Sequence, residues 1–402
     1  MKAKPSVRSL RDYLVRRLRL GRYLSEPGDG RKRPAIPAPT LLWGFLLCQI
    51  LRYHSFLAVE RLARSRACRA AQLSRGFGDD ALGYFTERLD PAVTRQAIAD
   101  LIRHAKRGKA FDDSRFIGLA LDGTGAARSR SAKEDCGLCR PVKNAEKEIT
   151  SYVHAFSMIE VVGTGLCLPF DVEPYGPGDS ELAASHRLLE RAIDHLGVRF
   201  ADYVVVDGAY ANAPFCHHAG DLGLRVVARL KGNLPGLFSE AERRFRCTPP
   251  TATFSHNRDH IEIWDADDFL PWEDLRWSRV RVIRYRQHKP DGSVVEAYWL
   301  TDFSTARVGS RSLYAMAKSR WEIENQGFND GKTRYGMEHV RHHHPNSMLL
   351  VWLLTVFAIT IERLYRLRFL HRGTHAVRSA IDLLFDLLLS LGRSISASPD
   401  TS

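Results

Sequence analysis

Residues 203–208 read Tyr-Val-Val-Val-Asp-Gly, and residues 117–123 read Ile-Gly-Leu-Ala-Leu-Asp-Gly. Each stretch is a short apolar run, which predicts a buried strand, and each run stops at an aspartate followed by a glycine. Asp122 and Asp207 are therefore expected to end two central strands, at the rim where α/β sheets bind their ligands. The alternative is ordinary turn chemistry, because Asp-Gly is a common turn pair.

A third acid, Glu324, lies in the helical stretch 318–325. Two strand-end aspartates and one helical glutamate offer the oxygen ligands that hard divalent cations require, and two such cations can clamp an in-line phosphoryl displacement. Glu322 is the rival candidate, but two residues along a helix are about 200° apart, so both glutamates cannot face one ion. Arg320 precedes Glu324 by four residues and shares its face. This pairing favours Glu324 and leaves Glu322 as a solvated charge.

The composition indicates the kind of partner. The chain has 402 residues, with 59 Lys and Arg against 46 Asp and Glu and a net charge of +13. This excess predicts a polyanionic partner, because each neutralised phosphate releases condensed counterions; a generally basic proteome is the alternative explanation. The apolar stretches 41–51 and 348–361 are shorter than the roughly 20 residues that span a bilayer. They are interpreted as buried helices, and no membrane partner is expected.

The cysteines indicate a reducing compartment, since seven of them are scattered along the chain. Cys136 and Cys139 have the spacing of half a zinc site. A second pair is absent, although His154 or Cys167 could contribute. The favoured interpretation is a loop with two free thiols.

The order of the predicted elements defines an α/β fold class. Strands are predicted over 117–121, 152–162, 166–172 and 203–206, with a helix over 180–196 before the last of them. A three-strand meander, a helix and a further strand is the order of an RNase H-like sheet. Its first and fourth strands are neighbours, which would bring Asp122 and Asp207 together.

Five regions are predicted along the chain. They are a basic arm and helical DNA-binding region (1–109), the first part of an RNase H-like core (110–224), a β-rich insertion (225–305), the C-terminal helices of the core (306–372), and a C-terminal helix and tail (373–402). A proline-rich hinge is expected at 34–39. The insertion accounts for the long separation of Asp207 and Glu324, since one crossover needs only about a dozen residues.

Four segments resemble the DDE transposases of bacterial insertion sequences. They are 320–325 (Arg-Trp-Glu-Ile-Glu-Asn) followed by Phe328 and Lys332, 203–212, 119–124 and 161–166. The likeness extends over about residues 41–370 and implies an RNase H-like fold with a β-rich insertion before the third acid. It also implies that Asp122, Asp207 and Glu324 are catalytic residues that bind two Mg²⁺ ions, for which Mn²⁺ can substitute. Arg320 would lie near the transposon-end phosphates.

The motif around the glutamate departs from the best-described branch of that family, where it is Tyr-(2)-Arg-(3)-Glu-(6)-Lys. Arg320 and Glu324 have the expected spacing, but Ala317 replaces the tyrosine and Gly331 replaces the lysine. Lys332 comes one residue late, and on a regular helix it would point about 80° away from the face of the glutamate. One hypothesis is that Gly331 ends the helix and lets Lys332 turn back. The chain is accordingly placed in a sister branch.

The resemblance implies a DNA transposase that binds insertion-sequence ends, cleaves them and joins the 3′-hydroxyl to target DNA. It also implies a homodimer in the DNA complex and a location in the bacterial cytoplasm, at the nucleoid. Five basic residues are predicted to contact DNA: Arg320, Lys332, Arg334, Lys318 and Arg341. Two alternatives stay open, a catalytically silent DNA-binding protein with the same fold and an RNase H-like nuclease that cuts without joining.

Overall fold

A computed structural model of the protein describes residues 5–112, 114–130, 137–367 and 379–396. Its strands are β1 (Gly118–Ser129), β2 (Cys139–Lys143), β3 (Ile149–Val162), β4 (Leu168–Tyr175), β5 (Tyr203–Val206), β6 (Arg225–Leu230), β7 (Ala252–His256), β8 (Asp259–Phe269), β9 (Val280–His288) and β10 (Val294–Thr301). They form one mixed sheet in the order β2-β3-β1-β5-β6-β10-β9-β8-β7, with β4 paired to β3.

The helices precede, interrupt and follow these strands. They are α1 (Val7–Arg16), α2 (Gly21–Ser25), α3 (Ala38–Ile50), α4 (Phe56–Arg64), α5 (Asp79–Arg88), α6 (Pro91–Arg107), α7 (Glu181–Leu196), α8 (Ala213–Asp221), α9 (Pro235–Arg246), α10 (Ser310–Glu322), α11 (Asn329–Tyr335), α12 (Pro345–Tyr365) and α13 (Ala380–Ser396). A π-helical segment, Ile323–Phe328, joins α10 to α11 without a break.

Five neighbouring strands, in the order β4-β3-β1-β5-β6, form the RNase H-like part of the sheet. β5 is parallel to both β1 and β6, whereas β3 is antiparallel to both β1 and β4. The predicted contact between the first and fourth core strands is confirmed, since Leu119 pairs with Val204 and Ala120 with Val205. The apolar residues of these short parallel strands are buried on both faces, which explains their unbroken hydrophobic runs.

β1 is longer than predicted, and this corrects the placement of Asp122. The strand continues to Ser129 because it stays paired with the long strand β3 after its pairing with β5 has ended. Asp122 therefore lies inside β1, opposite Met158, and the Asp122-Gly123 pair is not a turn. Asp207 does follow the last residue of β5, and a single 3₁₀ turn begins at Gly208.

The β-rich insertion extends the core sheet and is not a separate β domain. β6 pairs with β5 in parallel, so the structure moves the start of the insertion from residue 225 to the end of β6. β10 then adds antiparallel to β6, and β9, β8 and β7 follow outward. Helix α9 lies in this region and was not predicted from the sequence pattern.

The N-terminal helices pack directly on the core. Helix α12 contacts α3, α5, α6 and β4, and most of the buried apolar side chains form one cluster that reaches from Val7 to Leu391. By length and composition alone, α12 could cross a membrane, but 94% of its most apolar 18-residue window is buried inside the protein. Its predicted role as a buried core helix agrees with this packing.

The predicted basic arm is a docked helix. Val7, Leu10 and Leu14 are spaced three and four residues apart in α1 and are buried. The Tyr13 hydroxyl donates a hydrogen bond to the carbonyl oxygen of Leu364, at the end of α12, over 3.3 Å. The charge of this segment is thus displayed on the outer face of a packed helix.

Candidate active site

Asp122 and Asp207 lie on neighbouring parallel strands. The pairing of β1 with β5 ends where Ala120 lies beside Val205, and Asp122 and Asp207 each come two residues after that pair. Adjacent strands are about 4.8 Å apart. The fold thus brings the two aspartates to one edge of the sheet.

Arg320 links the third acid to the first. Its Nη1 lies 2.6 Å from Glu324 Oε1, and its Nη2 lies 3.1 Å from Asp122 Oδ2. The bond to Glu324 is the four-residue helical pair expected from the sequence, whereas the bond to Asp122 connects α10 to β1. The side chain of Arg320 is only 10% exposed, so this contact is formed largely out of water.

Asp207 has a basic partner of its own that the sequence analysis missed. Lys231 Nζ lies 3.1 Å from Asp207 Oδ1, immediately after β6. Partial burial raises the pKa of Asp207, but the Gly208 amide, Lys231 and Arg320 together hold that pKa below its ordinary value. The signal for Lys231 is its position after the next parallel strand, which places it at the same sheet edge.

The pKa of Asp122 is shifted in the opposite direction from that of Asp207. Burial raises the pKa of Asp122 to about 6, the positive charge of Arg320 works against this rise, and the nearby carboxylates Glu181 and Glu324 add to it. Two acids at one sheet edge thus have pKa values shifted in opposite directions. Carboxylates with strongly shifted pKa values are typical of catalytic and binding sites.

Glu181, the first residue of α7, is a fourth acid at the site that the sequence analysis also missed. Its Oε1 accepts a hydrogen bond from the Tyr210 hydroxyl over 2.8 Å, and its Oε2 accepts a longer one from Tyr175 over 3.5 Å. A methyl group on Gly123 would lie 2.2 Å from Glu181 Cδ. The glycine after Asp122 is therefore required for the close approach of this carboxylate and has no role in a turn.

The chemistry of these side chains suits divalent cations. Asp122, Asp207, Glu324 and Glu181 all carry carboxylates, the ligands that Mg²⁺ and Mn²⁺ prefer. The buried guanidinium of Arg320 already supplies positive charge between Asp122 and Glu324. Within residues 5–112, 114–130, 137–367 and 379–396, no three His, Cys, Asp or Glu side chains converge on one point as they stand. Ion binding would thus require side-chain movement around Arg320.

Glu322 is not the solvated charge that was predicted. Its Oε2 accepts hydrogen bonds from the Gly163 amide over 2.9 Å and from the Cys167 thiol over 3.0 Å. It therefore ties α10 to the turn between β3 and β4. The choice of Glu324 over Glu322 agrees with this geometry, because the two side chains contact different parts of the protein.

The π-helical segment changes how Lys332 is oriented relative to Glu324. The amide of Asn329 donates to the carbonyl of Glu324, a bond that spans five residues and inserts one residue relative to an α-helix. Lys332, eight residues after Glu324, thus takes about the position of a seventh residue, roughly 20° from its face. The hypothesis that Gly331 ends the helix is wrong, since α11 continues to Tyr335.

The side chains of the other predicted DNA-binding residues differ in how strongly they are engaged within the protein. Lys332 lies 3.6 Å from Glu338, and Arg334 lies 3.2 Å from Asp330 with 47% of its side chain exposed. Both are available at the surface of α11. They remain predicted DNA contacts.

Lys318 and Arg341 are engaged within the protein. Lys318 donates to Gln287 over 3.1 Å, and burial lowers its pKa. Arg341 donates to the backbone carbonyls of His54 and Tyr335 over 2.7 and 3.4 Å. Both side chains thus help to hold the fold together, and their contact with DNA stays a prediction.

The cysteines of the zinc alternative lie in different parts of the chain. Cys136 lies outside the described residues, and Cys139 on β2 pairs in register with His154 on β3. Cys167 lies elsewhere and donates to Glu322. The two-thiol loop stays a prediction.

The protein combines an RNase H-like sheet with acids from the first and fourth strands of that sheet and from a helix that follows a β-rich insertion. This combination defines the class of nucleic-acid-processing DDE proteins. The family model for the transposase DDE domain matches residues 118–361, and the chain belongs to this family. No curated protein matches the chain in sequence. One similar solved structure is a piggyBac transposase synaptic complex with hairpin DNA, with a TM-score of 0.45 and 11% identity over 90% of this chain and 73% of that one.

Proposed function

We propose that this chain is an active transposase that binds the ends of its element, cleaves them and joins the 3′-hydroxyl to target DNA. The observation that carries the proposal is the double contact of Arg320, which joins Asp122 on β1 to Glu324 on the helix beyond the insertion. Asp207 follows the strand that pairs with β1, and the positive charge of Arg320 also helps to lower the pKa of Asp207. Such an arrangement has no evident purpose in packing, because it concentrates like charges at one sheet edge.

Asp122, Asp207 and Glu324 would hold two Mg²⁺ ions, or Mn²⁺ in their place, and the bound ions would activate the attacking oxygen and stabilise the leaving oxygen. Arg320 is fixed between two of the acids and is suited to bind a phosphate of the scissile strand. Lys231 supplies further positive charge beside Asp207. Hydrolysis and strand transfer differ only in the nucleophile, water or a DNA 3′-hydroxyl, so one site serves both steps.

DNA binding is proposed for two basic surfaces. One consists of Lys332 and Arg334 on α11, near the acids. The other is the outer face of the N-terminal helices, where Arg8, Arg16 and Arg22 are exposed. These contacts would reach the DNA backbone and add affinity with little sequence information. The family further suggests a homodimer that pairs two ends, and a bacterial protein at the nucleoid.

A cleavage assay tests this function. Purified protein is incubated with Mg²⁺ and a duplex carrying the inverted repeats that flank the gene, for the wild type and for Asp122→Asn, Asp207→Asn and Glu324→Gln. Each substitution is expected to lower cleavage at least 100-fold. Asp268→Asn is the control, since Asp268 on β8 forms its ion pair with Arg244 at the surface. Equal cleavage by all variants would remove the proposed site.

The same assay separates the two alternatives. A silent DNA-binding protein would shift the duplex in a gel without cutting it. A nuclease of the same fold would cut the ends but would not join a pre-cut end to a plasmid. Transposition requires both cutting and joining, and both are expected here.

A further inference from the structure

The π-helical segment that carries Glu324 is fastened to the core by one buried arginine. Arg363 of α12 is 6% exposed, and its Nη2 donates to the carbonyl oxygen of Gln326 in the middle of the segment. A π-helix leaves its carbonyls in a different hydrogen-bonding pattern from an α-helix. This contact therefore satisfies a backbone group at the point where the helix is irregular.

The same guanidinium reaches three other parts of the fold. Its Nη1 lies 2.9 Å from Glu160 Oε1 on β3 and 2.6 Å from the carbonyl oxygen of Cys167, and its Nη2 lies 3.2 Å from Asp330 on α11. Glu160 is fully buried. Arg363 thus connects α12, β3 and the turn before β4 to the π-helical segment and to the start of α11.

The π-helical segment is closely packed against β3 at Gly327. A methyl group on Gly327 would lie 2.5 Å from Met158 Cε and 2.9 Å from Glu160 Oε2. Met158 is the β3 residue that pairs with Asp122 on β1. The height of the segment above β3 consequently sets the distance between Glu324 and the strand that carries Asp122.

We propose that Arg363 and Glu160 are positioning residues, which hold the π-helical segment against β3 and so place Glu324 opposite Asp122. Neither residue touches the reacting groups. They act through Glu324, in the way that a supporting hydrogen bond fixes the orientation of an active-site side chain. The inference rests on the proposed function, because it assigns these residues a part in that reaction.

The test replaces the pair together. A buried ion pair can often be exchanged for apolar residues of similar volume with little loss of stability, whereas removal of one partner leaves an unpaired buried charge. Glu160→Met with Arg363→Met is therefore expected to fold and to melt at a higher temperature than Arg363→Met alone. The matched control is Asp265→Met with Arg281→Met, which removes the buried pair between β8 and β9, remote from Glu324.

Two measurements are made on each double variant. The first is hydrogen exchange, where faster exchange of amides 323–330 is expected for Glu160→Met with Arg363→Met and no change there for the control. The second is the single-turnover cleavage rate at saturating DNA, expected to fall at least 30-fold in the first variant and less than threefold in the control, with DNA affinity unchanged in both.

The outcomes of these two measurements distinguish failure of the positioning role from failure of the proposed function. Unchanged exchange in 323–330, or equal loss of rate in the two double variants, overturns the positioning role while leaving the proposed function intact. Faster exchange with a normal cleavage rate also overturns it. No cleavage by the wild type overturns the proposed function and this role with it.

Discussion

Alanine at position 123 is expected to destabilise the protein only while Glu181 is present. The added methyl group would lie 2.2 Å from Glu181 Cδ, against an ordinary carbon–carbon separation of about 3.5 Å. The flexible glutamate can relieve the clash by rotating away, but it then loses its hydrogen bonds to Tyr210 and Tyr175. At roughly 0.5–1.5 kcal/mol each, the loss amounts to about 1–3 kcal/mol. The preference for alanine over glycine inside a strand, roughly 0.5–1 kcal/mol, offsets part of this loss and leaves a net cost of about 1–2 kcal/mol. Ser185 still bonds to the Tyr210 hydroxyl, so that group is not left unsatisfied.

A double-mutant cycle checks this reasoning by urea unfolding. Gly123→Ala should cost about 1–2 kcal/mol in the wild-type background, and in a Glu181→Ala background it should be neutral or stabilising, because alanine is preferred to glycine inside a strand by roughly 0.5–1 kcal/mol. Gly125→Ala is the control, since its methyl group would meet only Val153, at 3.0 Å. The same cost for Gly123→Ala in both backgrounds would show that Glu181 does not occupy this space, and the reasoning would be refuted.

Three further predictions concern charge. Because burial raises the pKa of Asp122 to about 6, its folded-state pKa exceeds the unfolded value, so its contribution to stability is present at low pH and lost as pH rises from about 4 through 6. With divalent cations chelated, Asp122→Asn should therefore be more stable than wild type at pH 7.5, by up to about 2–3 kcal/mol before solvent screening, and similar to it at pH 3.5, as thermal melts at both pH values would reveal. Glu322→Ala should cost about 1–3 kcal/mol in urea unfolding, because it leaves the Gly163 amide without its acceptor; a cost below about 0.5 kcal/mol would restore the solvated-charge interpretation. Arg334→Ala should weaken DNA binding equally for all sequences and reduce the salt slope by about 1, without changing the cleavage rate at saturating DNA; an unchanged slope in a fluorescence-anisotropy titration would exclude a phosphate contact.

The local features of the site follow from the sequence because they depend on short-range geometry. The hydrogen bond from Arg320 to Glu324 follows from helical spacing. The apolar runs before Asp122 and Asp207 predict the strands that these residues follow or belong to. The pairing of β1 with β5 also follows, since it depends on the order of the elements. These features need no knowledge of distant contacts.

Two of the features that sequence reasoning missed depend on partners distant along the chain. Whether Asp122 ends its strand is decided by the length of β3, and whether Glu322 is solvated is decided by the turn at Gly163. The π-helical segment has no pattern of its own and is visible only in the backbone hydrogen bonds of Glu324. Periodicity describes one element at a time and cannot register such contacts.

Two glycines at this site, Gly123 and Gly327, have the same structural role. Gly123 leaves space for the carboxylate of Glu181, and Gly327 leaves space for Met158 and the carboxylate of Glu160. Neither glycine has a positive φ or forms a turn, so their backbone freedom is not what the fold uses. Both are positions where β1 or the Glu324 helix must approach another element closely. Because side chains fill the space beside both glycines, a larger residue at either position would displace Glu181, or Met158 and Glu160, from the contacts that they make beside Asp122 and Glu324.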